Sequence, residues 1–226
     1  MTDPLRRLLE VPAPISAPAL LGAVITGRGV SIRITEVEAY HGPTDPGSHG
    51  HRGRTDRNRH LFGPPGTLYA YRSYGIHTCV NVVSGDEGIS AGSLLRGGEV
   101  VAGRDVARAR RGPRPVDDAL ARGPGNLGVA LGAVLGTDDG TSVVDGTGPY
   151  VLTLPPALEA RLASDTPEHV IESLLSEQDA SGERRISRGP RTGVGGIAGG
   201  AGFPWRFWLT GDPTVSAYRR HKGAID

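Results

Sequence analysis

The stretch Ile32-Arg-Ile-Thr-Glu-Val-Glu-Ala-Tyr40 decides how the rest of the chain is read. It alternates in polarity and is rich in β-branched residues, the pattern of a β-strand. Side chains alternate faces along a strand, so Val30, Ile32, Ile34, Glu36, Glu38 and Tyr40 fall on one face. The first three predict a row that points into a core. The same row then carries two carboxylates and a phenol, and a carboxylate taken into a core must be partnered or functional. Glu38 is the candidate catalytic residue. The competing reading ends or bulges the strand after Ile34 and leaves both glutamates in solvent, where most glutamates lie.

A chain of 226 residues with 37% hydrophobic and 22% charged residues can build one large core, or at most two small ones. A single domain over residues 1–226 is expected. No apolar run is long enough to span a bilayer and the start of the chain lacks a charged-then-apolar signal pattern, so a cytoplasmic protein is expected. The one cysteine, Cys79, excludes an internal disulfide framework and a cysteine-based zinc cluster. It sits in an alternating apolar strand and reads as a buried structural thiol. The formal net charge is only +1, yet Gly50 to Arg114 holds eleven arginines against five acids. A basic segment on a near-neutral chain suggests a face for a polyanion, with a solvated surface segment as the alternative.

Outward from the opening strand, residues 3–9 predict a short helix opened by Asp3 and Pro4. A second helix is expected from Ser16 to Ala23, with Ser16 as its cap. Ala23 to Thr26 and Val30 to Tyr40 form a hairpin across Gly27-Arg28-Gly29. His41 to Gly66 is a long polar loop, a kind that usually carries function or stays disordered. Strands resume from Thr67 to Val83, with Tyr69 and Tyr71 on one face and His77, Cys79, Asn81 and Val83 on one face. The turn Ser73-Tyr-Gly75 places Tyr74 at a hairpin tip, where a large aromatic has no core to enter. Ala91 to Arg96 predicts a short strand, Glu99 to Arg111 a basic helix, and Pro124 to Leu131 a helix stopped by Gly132. Thr166 caps an amphipathic helix with Pro167 as its first residue and Val170, Ile171, Leu174 and Leu175 as its apolar stripe. Residues 178–202 read as loop, and Trp205 to Leu209 as a last strand. The fold class is α+β: one compact mixed domain around a curved, mainly antiparallel sheet with flanking helices and a protruding hairpin.

Three motifs compete for the chemistry. His49-Gly-His51 with Asp45, Glu36 and Glu38 has residue types that suit zinc, but its spacing matches no established ligand pattern. Gly193-Val-Gly-Gly-Ile-Ala198 loosely matches a dinucleotide fingerprint but lacks the strand before and the helix after that the mechanism needs. Gly123-Pro-Gly125 is either a backbone contact for DNA phosphate or a plain helix start. The combination is more specific than its parts. A buried-side carboxylate, clustered tyrosines, a basic loop and an aromatic at a hairpin tip suit extraction of a base from duplex DNA. Such extraction needs aromatic walls for the flipped base, a wedge for the vacated stack and arginines on the phosphates.

In one order the chain carries Glu36-Val-Glu-Ala-Tyr40, His49, Asn58-Arg59, Phe62-Gly-Pro-Pro-Gly-Thr-Leu-Tyr-Ala-Tyr71, Tyr74-Gly75, Cys79-Val-Asn81, Leu94-Leu-Arg96, Arg122-Gly-Pro-Gly125 and Pro190-Arg-Thr-Gly-Val-Gly195. With these it closely resembles the 3-methyladenine DNA glycosylase family of the alkyladenine (mammalian) type, from about Ala19 to Arg219. The resemblance implies that Glu38 is the general base for a water attacking the sugar C1′, with Arg96 and the main-chain carbonyl of Thr192 helping to hold that water. It implies that Tyr40, His49 and Tyr71 line the base pocket, that Asn81 stands at its edge and clashes with the amino group of guanine, and that Tyr74 is the wedge. Arg52, Arg54, Arg57, Arg59 and Arg72 are the expected contacts to the DNA backbone.

The implied partner is duplex DNA containing alkylated purines, bound by a monomer, and no metal or organic cofactor is implied. Two other readings stand beside this one: a relative specialised for bulky N-alkylpurine adducts, and a non-catalytic damage-binding protein. The chain departs from the family pattern at Gly47-Ser48 and Gly50, which flank His49 and put the tightness of the pocket in question, and at Gly97-Gly98. Residues 156–190 look like an extra surface segment. Of 25 basic residues only Lys222 is a lysine, so the chain offers almost no amine nucleophile and points to water instead.

Overall fold

The computed structural model describes residues 3–73 and 75–226; the expectation for Tyr74 lies outside the described residues. The chain begins with helix α1 (Pro4–Leu9), whose first N–H groups are capped by the Asp3 carboxylate accepting from the Leu5 amide. A short helix α2 (Ala13–Ser16) runs into a 3₁₀ turn over Ala17–Leu20. Ser16 is therefore both the last residue of α2 and the N-cap position of the 3₁₀ turn, but its side chain caps no N–H, and its hydroxyl donates back to the Pro12 carbonyl at 3.3 Å. Pro12 already supplies the fixed φ from which the helix starts.

Strands β1 (Val24–Gly27) and β2 (Val30–His41) form the expected hairpin. Arg28 and Gly29 both have positive φ, as a tight two-residue hairpin turn demands. Strands β3 (Leu68–Ser73), β4 (His77–Val83) and β5 (Ala91–Ala102) follow, then helix α3 (Arg104–Arg111), strand β6 (Ala121–Arg122) and helix α4 (Pro124–Leu131). The chain closes with β7 (Tyr150–Thr153), helices α5 (Pro156–Ser164) and α6 (Pro167–Ser176), and strands β8 (Ile186–Gly189) and β9 (Arg206–Leu209). Among the described residues the sheet has nine strands in the order β3-β4-β5-β2-β1-β7, with β6 on β5 and the β8–β9 pair on β2. All of these strand pairings are antiparallel. An α+β fold around a mainly antiparallel sheet is what the sequence pattern predicts.

β2 is the central strand, and its side chains do not keep one phase. Its pairing with β5 shifts between Ile34 and Glu36 and again between Glu36 and Val37. The first shift leaves Thr35 as an extra residue on β2; the second leaves Arg96 as an extra residue on β5. Ile32 and Ile34 lie in the main apolar core, and past the bulge it is Val37 and Ala39 that join it. The glycines opposite report the same switch. A Cβ on Gly98 would lie 2.4 Å from Ile32 Cγ2, whereas one on Gly97 would lie 3.2 Å from Glu36 Oε2. The predicted single row from Val30 to Tyr40 is thus corrected: a bulge turns Glu36, Glu38 and Tyr40 to the face opposite the core.

The same glycines explain a second correction. Gly97-Gly98 reads as a strand end, yet β5 continues through both to Ala102 and the basic helix begins only at Arg104. Glycine is there for close approach of the neighbouring strand, not for a break. Two further expectations change. Residues 178–202 contain β8, which pairs with β9. The segment 156–190, expected at the surface, sends Leu158, Leu162, Val170, Ile171 and Ile186 into the main core. α4 and α2 pack on the core side of the sheet, leaving the other face of β2 to β5 for the site.

Replacing Gly98 with alanine should lower unfolding stability by about 1–3 kcal/mol, the usual cost of overpacking. The added methyl would meet Ile32 Cγ2 and, at 2.6 Å, the Arg33 carbonyl oxygen. Urea unfolding of Gly98→Ala measures this, and a stability equal to wild type would mean that β2 and β5 have room to part.

Candidate active site

The site starts from two carboxylates that the bulge carries off the core face without exposing them. Glu36 and Glu38 are both fully buried. Glu36 Oε1 accepts from Arg206 Nε at 2.6 Å, Arg96 Nε at 3.0 Å and Ser216 Oγ at 3.0 Å, while its Oε2 accepts from the Ser216 amide at 2.8 Å. Burial works against the charge of Glu36, but the Arg96 and Arg206 guanidiniums and the Ser216 hydrogen bonds outweigh it and hold the carboxyl below its ordinary value. Glu38 Oε2 accepts from the Tyr40 hydroxyl at 2.9 Å and from Arg96 Nη1 at 3.3 Å, and Oε1 accepts from the Thr192 amide at 2.6 Å. Burial, and then the Glu38 charge, push the Tyr40 phenol far up, so it stays protonated and serves as a donor.

Glu38 lies at the base of a cavity of about 770 Å³. β3 and β4 place Tyr69, Tyr71 and Asn81 along its wall, and β5 adds Leu94 and Arg96. The tyrosine rings are stacked at 5.9 Å, and His49 meets Tyr71 edge-on at 4.6 Å. His49 Nδ1 lies 3.0 Å from the Tyr69 hydroxyl. Burial, with Arg57 nearby, lowers the imidazole below its ordinary value, so the ring is neutral near neutral pH. Burial lifts Tyr69 to about 12 and raises Tyr71 as well. The aromatic part of the wall is therefore uncharged, while Arg57, Arg72, Arg96 and Arg219 also line the cavity. Asn81 Nδ2 donates to the Tyr69 carbonyl across the strand pair at 3.0 Å, which fixes its carboxamide on that wall.

The long loop after β2 is ordered by two polar anchors. Asn58 donates to the His49 and Gly53 carbonyls and accepts from the Thr55 amide. Asp45 and Arg191, both fully buried, make a two-pronged ion pair with both contacts at 2.6 Å. The Arg191 guanidinium also lies 4.4 Å from the centre of the Tyr40 ring and donates to the Ala39 and Ala198 carbonyls. Arg191 precedes Thr192, so this pair fixes both a cavity wall and the amide that holds Glu38.

The structure brings Glu38, Arg96, Thr192, Tyr40, His49, Tyr71 and Asn81 together around one cavity. Thr192 engages Glu38 through its N–H, a contact the sequence does not suggest. Of the backbone candidates, Arg57 and Arg72 line this cavity. Arg54 and Arg59 line a second cavity, and Arg52 is exposed and lines neither. The α3 arginines have partners within the chain: Arg104 and Arg108 pair with Asp117, and Arg110 and Arg111 donate to main-chain carbonyls. The basic segment is thus not one continuous face.

Gly47 and Gly50 do not loosen the pocket. A Cβ on Gly47 would lie 2.9 Å from Arg191 Nη2, and one on Gly50 only 1.9 Å from Ser90 Oγ, so both glycines permit close packing. Among the described residues no three His, Cys, Asp or Glu side chains converge as metal ligands, and Asp45 is taken up by Arg191. Gly193 to Ala198 leads into a 3₁₀ turn rather than a helix, unlike a dinucleotide fingerprint. Cys79 is buried, and burial raises its thiol. Arg206 and Ser216 are the parts sequence reasoning missed, and it gave no structural role to Arg191 and a different one to Glu36 and Asp45. Glu36 and Arg191 stood inside recognised motifs, but nothing local marked their partners.

Fold and cavity together define an α+β protein with an aromatic-walled pocket closed at its base by a carboxylate. The chain belongs to the methylpurine-DNA glycosylase family, whose sequence profile matches residues 7–213. It is 46% identical over 217 residues to a Nocardia farcinica protein, covering 94% of this chain and 90% of that one. A Frankia casuarinae protein is 49% identical over 203 residues, covering 90% and 87% of the two chains. A Leifsonia xyli protein is 45% identical over 214 residues, covering 91% and 87%. All three carry the name "Putative 3-methyladenine DNA glycosylase". No helix among the described residues is long and apolar enough to cross a membrane.

Glu36 gives this site a pH signature. Its folded value lies below the ordinary 4.5, so the unfolded chain binds its proton first. The stability it contributes is present above about pH 4.5 and is lost as pH falls through the folded value. Urea midpoints should fall more steeply for wild type than for Glu36→Gln over that range. At neutral pH the variant should already be less stable by about 3–5 kcal/mol, because it leaves buried guanidiniums without their partner. Parallel acid profiles for the two proteins would remove Glu36 as a stabilising anion.

Proposed function

We propose that this member of the glycosylase family hydrolyses the N-glycosidic bond of alkylated purines in duplex DNA, with Glu38 as general base. The observation that carries the reading is a fully buried carboxylate at the base of an aromatic cavity, held by Arg96, Tyr40 and the Thr192 amide. A purine turned out of the duplex would stack among Tyr40, His49 and Tyr71. Water attacks C1′ as the C–N bond breaks, its proton passes to Glu38, and the C–N electron pair leaves with the base. The transition state at the sugar is oxocarbenium-like, so anionic Glu38 acts both as base and as counter-charge. Alkylation makes 3-methyladenine and 7-methylguanine cationic. Such a base gains cation–π attraction between aromatic faces and leaves without an acid catalyst.

Asn81 stands on the cavity wall where it would oppose the exocyclic amino group of guanine. Tyr74 would fill the gap in the duplex. Arg57 and Arg72 at the cavity would take the flanking phosphates, and Arg52, Arg54 and Arg59 the backbone further along. The enzyme would work as a single-domain monomer on chromosomal DNA in the cytoplasm, without metal or organic cofactor.

Glu38→Gln keeps the shape of the side chain but cannot take the water's proton. Its single-turnover excision of 3-methyladenine from duplex DNA should fall by roughly two decades or more. Binding of the damaged duplex should survive, and near wild-type excision would end the assignment.

The nucleophile has its own test. Lys222 is exposed and is not among the residues lining the Glu38 cavity. Borohydride added during turnover should trap no protein–DNA adduct, and strands should break only after hot alkali. A trapped adduct that disappears in Lys222→Ala would replace hydrolysis by amine attack.

A further inference from the structure

Ser216 lies three residues beyond the end of the family match and belongs to no helix or strand, yet it touches three charged side chains of the site. Its amide donates to Glu36 Oε2 at 2.8 Å and its hydroxyl to Glu36 Oε1 at 3.0 Å. The same hydroxyl accepts from Arg96 Nη2 at 3.2 Å. Its carbonyl accepts from Arg206 Nη2 at 2.8 Å. The segment is itself tied to the sheet through Thr214, whose hydroxyl lies 2.8 Å from that of the bulged Thr35.

Arg96 has three guanidinium nitrogens and two carboxylates to serve. Nε goes to Glu36, Nη1 to Glu38 and Nη2 to Ser216. The strongest arrangement open to a guanidinium beside a carboxylate is a two-pronged fork, using both carboxylate oxygens and two adjacent nitrogens. Arg96 does not form it with Glu36. Ser216 stands in its way through its hydroxyl, which caps Nη2, the nitrogen the fork would use, while its amide takes only one acceptor site of Oε2, the oxygen the fork would need. We propose that Ser216 is a positioning residue that prevents Arg96 from closing onto Glu36 and so keeps Nη1 directed at Glu38.

This rests on Glu38 as the base. Without the hydroxyl, Nη2 would turn to share Glu36 Oε2 with the Ser216 amide, and the guanidinium would rotate its other end away from Glu38. Ser216 itself does not line the cavity, so its substitution removes no direct contact to a bound base. The charged groups that meet Glu36 are Arg96 from β5 and Arg206 from β9, with Glu38 reached through Arg96. Ser216 is the neutral partner that sets how the first of these is shared.

The test is single-turnover excision of 3-methyladenine from duplex DNA by the full chain, measured against enzyme concentration. Ser216→Ala should lower the maximal rate by roughly tenfold, the scale of one hydrogen bond to a charged group, with the half-saturating concentration unchanged. Ser216→Thr, which keeps the hydroxyl, should restore most of the rate. A general loosening of the fold would instead reduce the titratable active fraction in both variants. If Ser216→Ala does not fold, Ser216→Cys gives the same comparison, since a thiol is a weak donor and acceptor of similar shape. A folded Ser216→Ala or Ser216→Cys with the wild-type maximal rate overturns the proposal. Glu38→Gln assayed alongside separates the two assignments: if it is inactive while the Ser216 variants are normal, only Ser216 is wrong, and if it is active, the role of Glu38 fails first.

Discussion

One guanidinium shared between two fully buried carboxylates is the constraint on which the site depends. Arg96 reaches Glu36 with one nitrogen and Glu38 with another. Two carboxylates buried side by side would repel each other and lose their hydration, so the fold must supply compensating charge and donors to both. Arg206 from the last strand, Ser216 from the C-terminal segment and the Thr192 amide from the loop after β8 all converge for that purpose. Each comes from a part of the chain more than a hundred residues from β2. The carboxylate pair therefore explains why the C-terminal third of the chain closes over the middle of the first long strand.

The bulges on β2 and β5 make this compatible with a continuous core. A regular β2 would have carried Glu36 and Glu38 into the same layer as Ile32 and Ile34. One extra residue at Thr35 exchanges the faces, so Val37 and Ala39 complete the core while the glutamates turn to the cavity. The matching extra residue on β5 is Arg96 itself, so the irregularity that redirects the acids also delivers their counter-ion. Gly97 and Gly98 allow the two strands to lie this close.

Around the carboxylate the aromatic side chains stay uncharged. Burial keeps Tyr40, Tyr69 and Tyr71 as phenols and His49 as a neutral imidazole. Asp45 and Arg191 hold the Tyr40 wall from behind, and Asn58 holds the loop that presents His49. The C-terminal tail keeps the Gly193–Gly196 loop in place: the Gly193 amide donates to the Arg219 carbonyl and the Gly196 amide to that of Gly223.

Much of this was legible in the chain itself. Alternation marked β2, β3 and β4, helix-start and glycine-stop signals marked α1, α4 and α6, and the ordered motifs marked Glu38, Arg96, Tyr40, His49, Tyr71 and Asn81. These are local properties: a strand period, a cap or a short motif is written within a few residues. The face on which Glu38 lies, the length of β5 and the packing of residues 156–190 were not legible, because each is set by what approaches from elsewhere. A bulge has no side-chain signature of its own, and Gly97-Gly98 looks the same as a break and as a site of close packing. The residues that complete the carboxylate pair, Arg206 and Ser216, carry no motif at all. Sequence alone identified the family and pointed to one acid and a set of aromatics that the fold gathers around one cavity. Only the tertiary structure decided which donors and guanidiniums meet the buried acid, because charge compensation at a buried site depends on distance in space and not on distance along the chain.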